Sequence, residues 1–94
     1  MTKIKHFAKL LRAENWSIQL VKHQARAEDQ FLEPFDIFAV NYNSIRLIAI
    51  IENNRDVTAK IQKLKEWAEL RALPRNALIQ VVFIKGDEWE IITL

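Results

Sequence analysis

The run Leu47-Ile48-Ala49-Ile50-Ile51 has no polar face. A strand with one wet side alternates apolar and polar residues; a strand without alternation is covered on both sides. The run is far too short to cross a bilayer. It therefore reads as the central strand of a sheet, and the rest of the chain must supply cover for it. The stretch around it, Glu33 to Lys65, is read as a hairpin followed by a Lys-rich helix. Pro34 suits a strand start because it lacks an amide donor. Phe35 to Asn41 is expected to be a strand, with Phe35, Ile37 and Ala39 on one face and Asp36, Phe38 and Val40 on the other. Asn41 to Ser44 is expected to be the turn, and Ile45 to Glu52 the central strand, apolar on both faces.

The flanking segments have clear periods. Ile4, Phe7, Ala8 and Leu11 repeat at helical spacing, so Lys3 to Glu14 is expected to be an amphipathic helix. Thr2 is its expected N-cap, and Asn15, which tolerates the left-handed conformation, its stop. Trp16, Ile18 and Leu20 alternate with Ser17 and Gln19, which places a strand between Trp16 and His23. Residues His23 to Gln30 carry no strand signal and read as a loop or a short helical turn. Asp56 is the expected cap of a helix from about Val57 to Arg71, with Val57, Ile61, Leu64 and Ala68 as its buried stripe and Trp67 beside it. Pro74 closes the connection. Leu78 to Lys85 and Glu88 to Thr93 read as two strands joined by a primed turn at Gly86-Asp87. The order is α-β-β-β-α-β-β. The helix after Glu52 is a crossover, which makes the strand after it parallel to a neighbour, by a right-handed connection. The expected fold is α/β: a mixed central sheet flanked by two helices, either one on each face or both on one side.

Length, charge and cysteine content narrow the class. The 94 residues, half of them apolar, suffice for one domain and one core. With no Cys, disulfide scaffolds and thiolate zinc sites are excluded. The first residues, MTKIKHFAKLLRAENW, contain no uninterrupted apolar stretch of the signal-peptide kind. These features lead us to expect a cytoplasmic protein with no membrane span. Net charge is only +2, but residues 1–26 carry Lys3, Lys5, Lys9, Arg12, Lys22 and Arg26 against Glu14 alone. A basic first third attracts phosphate backbones; a solvated helix face is the plainer reading of the same residues.

Four segments, taken in order, carry a resemblance: Pro34-Phe35-Asp36-Ile37-Phe38-Ala39-Val40, Leu47-Ile48-Ala49-Ile50-Ile51-Glu52, Lys60-Ile61-Gln62-Lys63-Leu64-Lys65-Glu66-Trp67, and Val82-Phe83-Ile84-Lys85-Gly86 followed by Trp89. Together they resemble the PD-(D/E)XK nuclease superfamily, and within it the small archaeal-type Holliday-junction resolvases. The resemblance covers nearly the whole chain. It implies a restriction-endonuclease-like core in a single domain spanning residues 1–94, and a metal-dependent endonuclease acting on DNA phosphodiesters. In that reading Asp36 and Glu52 hold Mg²⁺, a hard cation that takes oxygen ligands. The metal polarises the phosphate and activates water, and Lys60 stabilises the developing charge. Lys3, Lys5, Lys9, Arg55 and Lys63 are the expected DNA contacts, and a homodimer is implied by the family's habit.

The chain also departs from the pattern. Phe35 separates Pro34 from Asp36, and Asn54 stands where the family has its lysine. The register matters as well. A turn with three loop residues sets Asp36 opposite Ile50, with Glu52 on the same face one diagonal step away. A turn with two or four sets Asp36 opposite Ala49 and turns Glu52 to the other face, unless a bulge near Asn41 restores the phase. The alternative function is accordingly a relative of the fold that has lost catalysis and binds DNA or a protein partner. A small basic ribonuclease is a third reading, which the crossover order fits less well. Residue by residue, plainer roles also stand: a turn or cap for Asp36, a solvated face for Lys60 and Lys63, surface positions for His6 and His23, and packing for Trp16, Trp67 and Trp89.

Overall fold

The computed structural model describes residues 3–21, 34–52 and 54–94. Thr2, Lys22, His23, Arg26 and Asn53, and the segment read as a loop after His23, lie outside the described residues. The elements follow the expected order: α1 (Lys3–Ala13), β1 (Ser17–Leu20), β2 (Ile37–Val40), β3 (Ile45–Ile50), α2 (Val57–Glu69), β4 (Ala77–Lys85) and β5 (Glu88–Thr93). The five strands form one sheet in the order β1-β2-β3-β4-β5. β3 is thus the middle strand, as its apolar run requires. Only the β3–β4 pair is parallel, which is what a helical crossover between them produces.

The two helices cover opposite faces. Phe7, Ala8 and Leu11 of α1 pack with Ile37, Ala39, Ile48, Ile50 and Val82. Leu64 and Trp67 of α2 pack with Phe35, Leu47, Ala49, Ile51, Ile79 and Val81. Residues of β3 go alternately to the two clusters, so this one strand is the floor of both cores. Trp16, Ile18 and Leu20 all lie against the α1-side cluster, as their alternation predicts. Val57, Ile61 and Ala68 rim the α2-side cluster, while Trp67 is more deeply buried than they are.

The local stops are legible chemistry. α1 ends at Asn15 with φ of 69°, the left-handed conformation. Asn15 N–H donates to the Arg12 carbonyl and Trp16 N–H to the Leu11 carbonyl, the paired bonds of a Schellman ending. At the β2–β3 turn the Asn41 side-chain oxygen accepts the N–H groups of Asn43 (3.0 Å) and Ser44 (2.8 Å). Gly86 has φ of 65°, and Lys85 faces Glu88 across a two-residue turn. A positive φ at the first central residue alone makes the turn type II′. Asp56 stands at the start of α2 but makes no side-chain cap bond. A 3₁₀ turn, Asn54–Asp56, precedes the helix. Asp56 (φ −92°, ψ 1°) therefore lacks the extended backbone that turns a capping side chain onto the next amides.

Three expectations about the hairpin are corrected. β2 begins at Ile37 and β3 ends at Ile50, so Asp36 and Glu52 each stand just outside a strand. Phe35 does not share a face with Ile37: it packs on the α2 side, against Trp67, with ring centroids 4.9 Å apart. And β3 is not wholly apolar, because Arg46 sits within it.

Candidate functional site

Val40 pairs with Ile45, so the turn contains four loop residues. Continued without interruption, that register would set Asp36 opposite Ala49. The chain slips instead. Ile37 is the Cα partner of Ile48, yet Asp36 N–H also donates to the Ile48 carbonyl at 2.8 Å. Asp36 and the first residue of β2 thus meet one residue of β3, which is a bulge at the strand's entry. It lies at Asp36 rather than near Asn41. The slip explains why Phe35 and Phe38, an odd number of residues apart, both reach the α2 side.

The bulge also sets what the Asp36 carboxylate does. Its Oδ2 accepts the backbone N–H of Ile50 at 2.7 Å. A side-chain oxygen thereby takes the place of the next backbone acceptor on β2 and ends the ladder. The Asp36 backbone is held as well, since its carbonyl accepts the Val21 N–H. Around it, β3 presents buried Ile48, Ala49 and Ile50.

Glu52 lies two residues beyond Ile50, about 7 Å along an extended chain. It is exposed. Lys3, in the first turn of α1, reaches it twice: Nζ donates to the Glu52 carbonyl at 2.9 Å and lies 3.9 Å from the carboxylate Oε2. The structure therefore puts Asp36 and Glu52 at the same end of the sheet, one anchored to the β3 backbone and the other beside a lysine from α1. Among the described residues, no three metal-ligating side chains of His, Cys, Asp or Glu gather in one place.

The remaining expected residues are spread over both faces. Lys60 is half-buried in the first turn of α2, and Lys63 is exposed further along it. Arg55 is exposed in the 3₁₀ turn. Lys5 and Lys9 are exposed on α1, and Arg12 falls on the same face as both. Lys5, Lys9 and Arg12 form a basic stripe on the outer side of α1, whereas Lys63 belongs to the helix across the sheet. His6 is exposed and sets its ring edge-on to Trp89, 5.8 Å between centroids.

One group stands outside the expected set. Arg46 is 8% exposed, in the middle strand, on the face that α1 covers. Its Nε donates to the Gln80 side-chain oxygen, and Gln80 Nε2 donates to Thr93 Oγ1 at 3.0 Å. The guanidinium carbon sits 5.1 Å from the Trp16 ring centroid, a cation–π geometry. Burial lowers the Arg46 pKa, while the charge of Glu14 pulls it back up; the group stays protonated at neutral pH. The available signal was one Arg in an otherwise apolar strand, Ile-Arg-Leu-Ile-Ala-Ile.

No helix among the described residues is long and apolar enough to cross a membrane. Searches of protein-family models, curated proteins and solved structures return no match to this chain.

Proposed function

We propose that this chain is a restriction-endonuclease-like relative that binds DNA without cutting it. The observation that carries the reading is the hydrogen bond from Ile50 N–H to Asp36 Oδ2. It gives the first of the expected metal-binding carboxylates a backbone partner among buried apolar side chains. The second, Glu52, has a lysine for its neighbour. Binding is assigned to the outer face of α1, where Lys5, Lys9 and Arg12 line up at intervals of four and three residues. Cations spaced in this way follow a phosphate backbone and read no sequence.

The test is fluorescence anisotropy with labelled duplex and four-way-junction DNA over a range of salt. Three phosphate contacts give a slope of log K against log[salt] of roughly −3. Each of Lys5→Ala, Lys9→Ala and Arg12→Ala should reduce that slope by about one. Binding that ignores all three substitutions together would sink the assignment.

A second reading, the metal-dependent endonuclease, draws support from Asp36 and Glu52 lying at one end of the sheet with an ammonium close by. The same DNA, incubated with Mg²⁺ or Mn²⁺, decides between them. Cleavage by the wild type that is lost in Asp36→Asn and in Glu52→Gln would establish the enzyme. Binding with the substrate DNA intact in every lane is the expected result. Asn is chosen at position 36 because its side-chain oxygen can still accept the Ile50 N–H.

A further inference from the structure

Between α1 and β5 the sheet is incompletely covered. A cavity of about 340 Å³ opens there, walled by Phe7, Leu10, Leu11, Trp89 and Ile91, with Arg46 among its lining groups. Glu14 stands at its edge. Leu10 and Ile91 are 40% and 45% exposed, so the walls are apolar and open to solvent.

The chemistry of Arg46 gives this cavity a direction. A buried cation is costly unless it is matched by an anion or by a full set of acceptors. Among the described residues the side chain makes one hydrogen bond, through Nε, and its acceptor is a neutral amide. Among the described residues no carboxylate lies within salt-bridge distance of it. No buried side-chain nitrogen or oxygen among them lacks a partner. The terminal guanidinium nitrogens are therefore not sealed in the core, and Arg46 is one of the groups that line the cavity. Those two nitrogens form a fork that matches a carboxylate.

We infer that the cavity between α1 and β5 is a binding site for a small aromatic carboxylate. The carboxylate pairs with the Arg46 terminal nitrogens, and the ring lies against Phe7, Leu10 and Trp89. A volume of about 340 Å³ falls within the range of small-ligand pockets, which are mostly apolar with a few placed polar groups. One cation, with Glu14 at the rim, suits a monoanion better than a phosphate dianion. The Gln80–Thr93 pair holds Arg46 in place from below, so the fork is oriented before a ligand arrives. The site uses none of the residues assigned to DNA.

The probes are 2-naphthoate, its neutral analogue 2-naphthylmethanol, and inorganic phosphate. Amide and side-chain N–H signals are followed by NMR, with the Arg46 Nε–H and the Trp89 indole N–H as reporters. Naphthoate should shift both reporters saturably and bind at least about tenfold more tightly than the alcohol, the least that a charge-assisted hydrogen bond supplies. Arg46→Gln should erase that preference. Because removing Arg46 from the middle strand can also unfold the chain, Leu10→Trp provides a second variant. It leaves Arg46 in place and fills the cavity from its rim, so naphthoate binding should be lost while the amide spectrum stays folded. Equal affinity for naphthoate and the alcohol overturns the proposal. So does phosphate shifting the Arg46 signal as strongly as naphthoate, absence of saturable binding at millimolar ligand, or undiminished binding to Leu10→Trp.

Discussion

Asp36 accepts the N–H of Ile50, which would otherwise be left without an acceptor where the β2–β3 ladder ends. A part-buried donor without a partner is expensive. Asp36→Ala should lower stability by about 1–3 kcal/mol, and Asp36→Asn, which keeps an acceptor, should lower it by about half as much or less. Urea unfolding of the three proteins measures this. An alanine variant as stable as the wild type would show that the bond is not structural. At this scale the sequence is least informative. Pro34-Phe35-Asp36 announces a strand entry, but nothing in those residue types says that Asp36 will be a bulge residue. That depends on Ile48 and Ile50, twelve and fourteen positions later. Arg46 has the same difficulty. Its type marks it as costly in an apolar strand, yet the Gln80 side chain that receives it lies 34 residues away.

Elements are the scale at which local chemistry suffices. Helical spacing in Ile4, Phe7, Ala8 and Leu11, followed by Asn15, predicts both α1 and its end. The structure supplies the left-handed residue and the two bonds that close the helix. A β-branched residue cannot adopt that conformation without strain. Asn15→Val should therefore cost about 1–2 kcal/mol, read as a drop in melting temperature, whereas Asn15→Gly should cost almost nothing. Equal melting of the Val and Gly variants would mean the ending is not held by backbone conformation. The Asn41 and Gly86 turns are legible for the same reason, since each depends on one residue and its immediate neighbours. Asp56 shows that residue type alone does not make a cap. Its residue type is right for a cap, but the 3₁₀ turn before it sets a backbone angle from which its side chain does not cap the helix.

For the whole molecule, the middle strand organises everything. Its two faces are covered by α1 and α2, and the residues expected to bind DNA are divided among α1 (Lys3, Lys5, Lys9), α2 (Lys63) and the turn before α2 (Arg55). In the proposed function α1 faces the DNA, and Lys63 then lies on the far side of the sheet. The same arrangement also bears on metal. A resident Mg²⁺ site present at a hundredfold excess of ion over its dissociation constant adds about 2.7 kcal/mol to stability. We expect none: thermal unfolding in millimolar Mg²⁺ and in EDTA should give the same midpoint at fixed ionic strength. A rise in Mg²⁺ that disappears in Glu52→Gln would return Glu52 to the role of ligand.

By itself the sequence determined the element order, the central place of the Ile45–Ile50 strand, the parallel crossover and most of the turns. These follow from periodicity and from single residues with special backbone preferences, which act over a few positions. Tertiary structure alone decided that the helices take opposite faces, that Asp36 stands in a bulge, that Lys3 meets Glu52, and that Arg46 lines a cavity beside α1. Each is a contact between residues far apart in the chain. Its geometry depends on register, and a slip of one residue turns a side chain to the other face of the sheet.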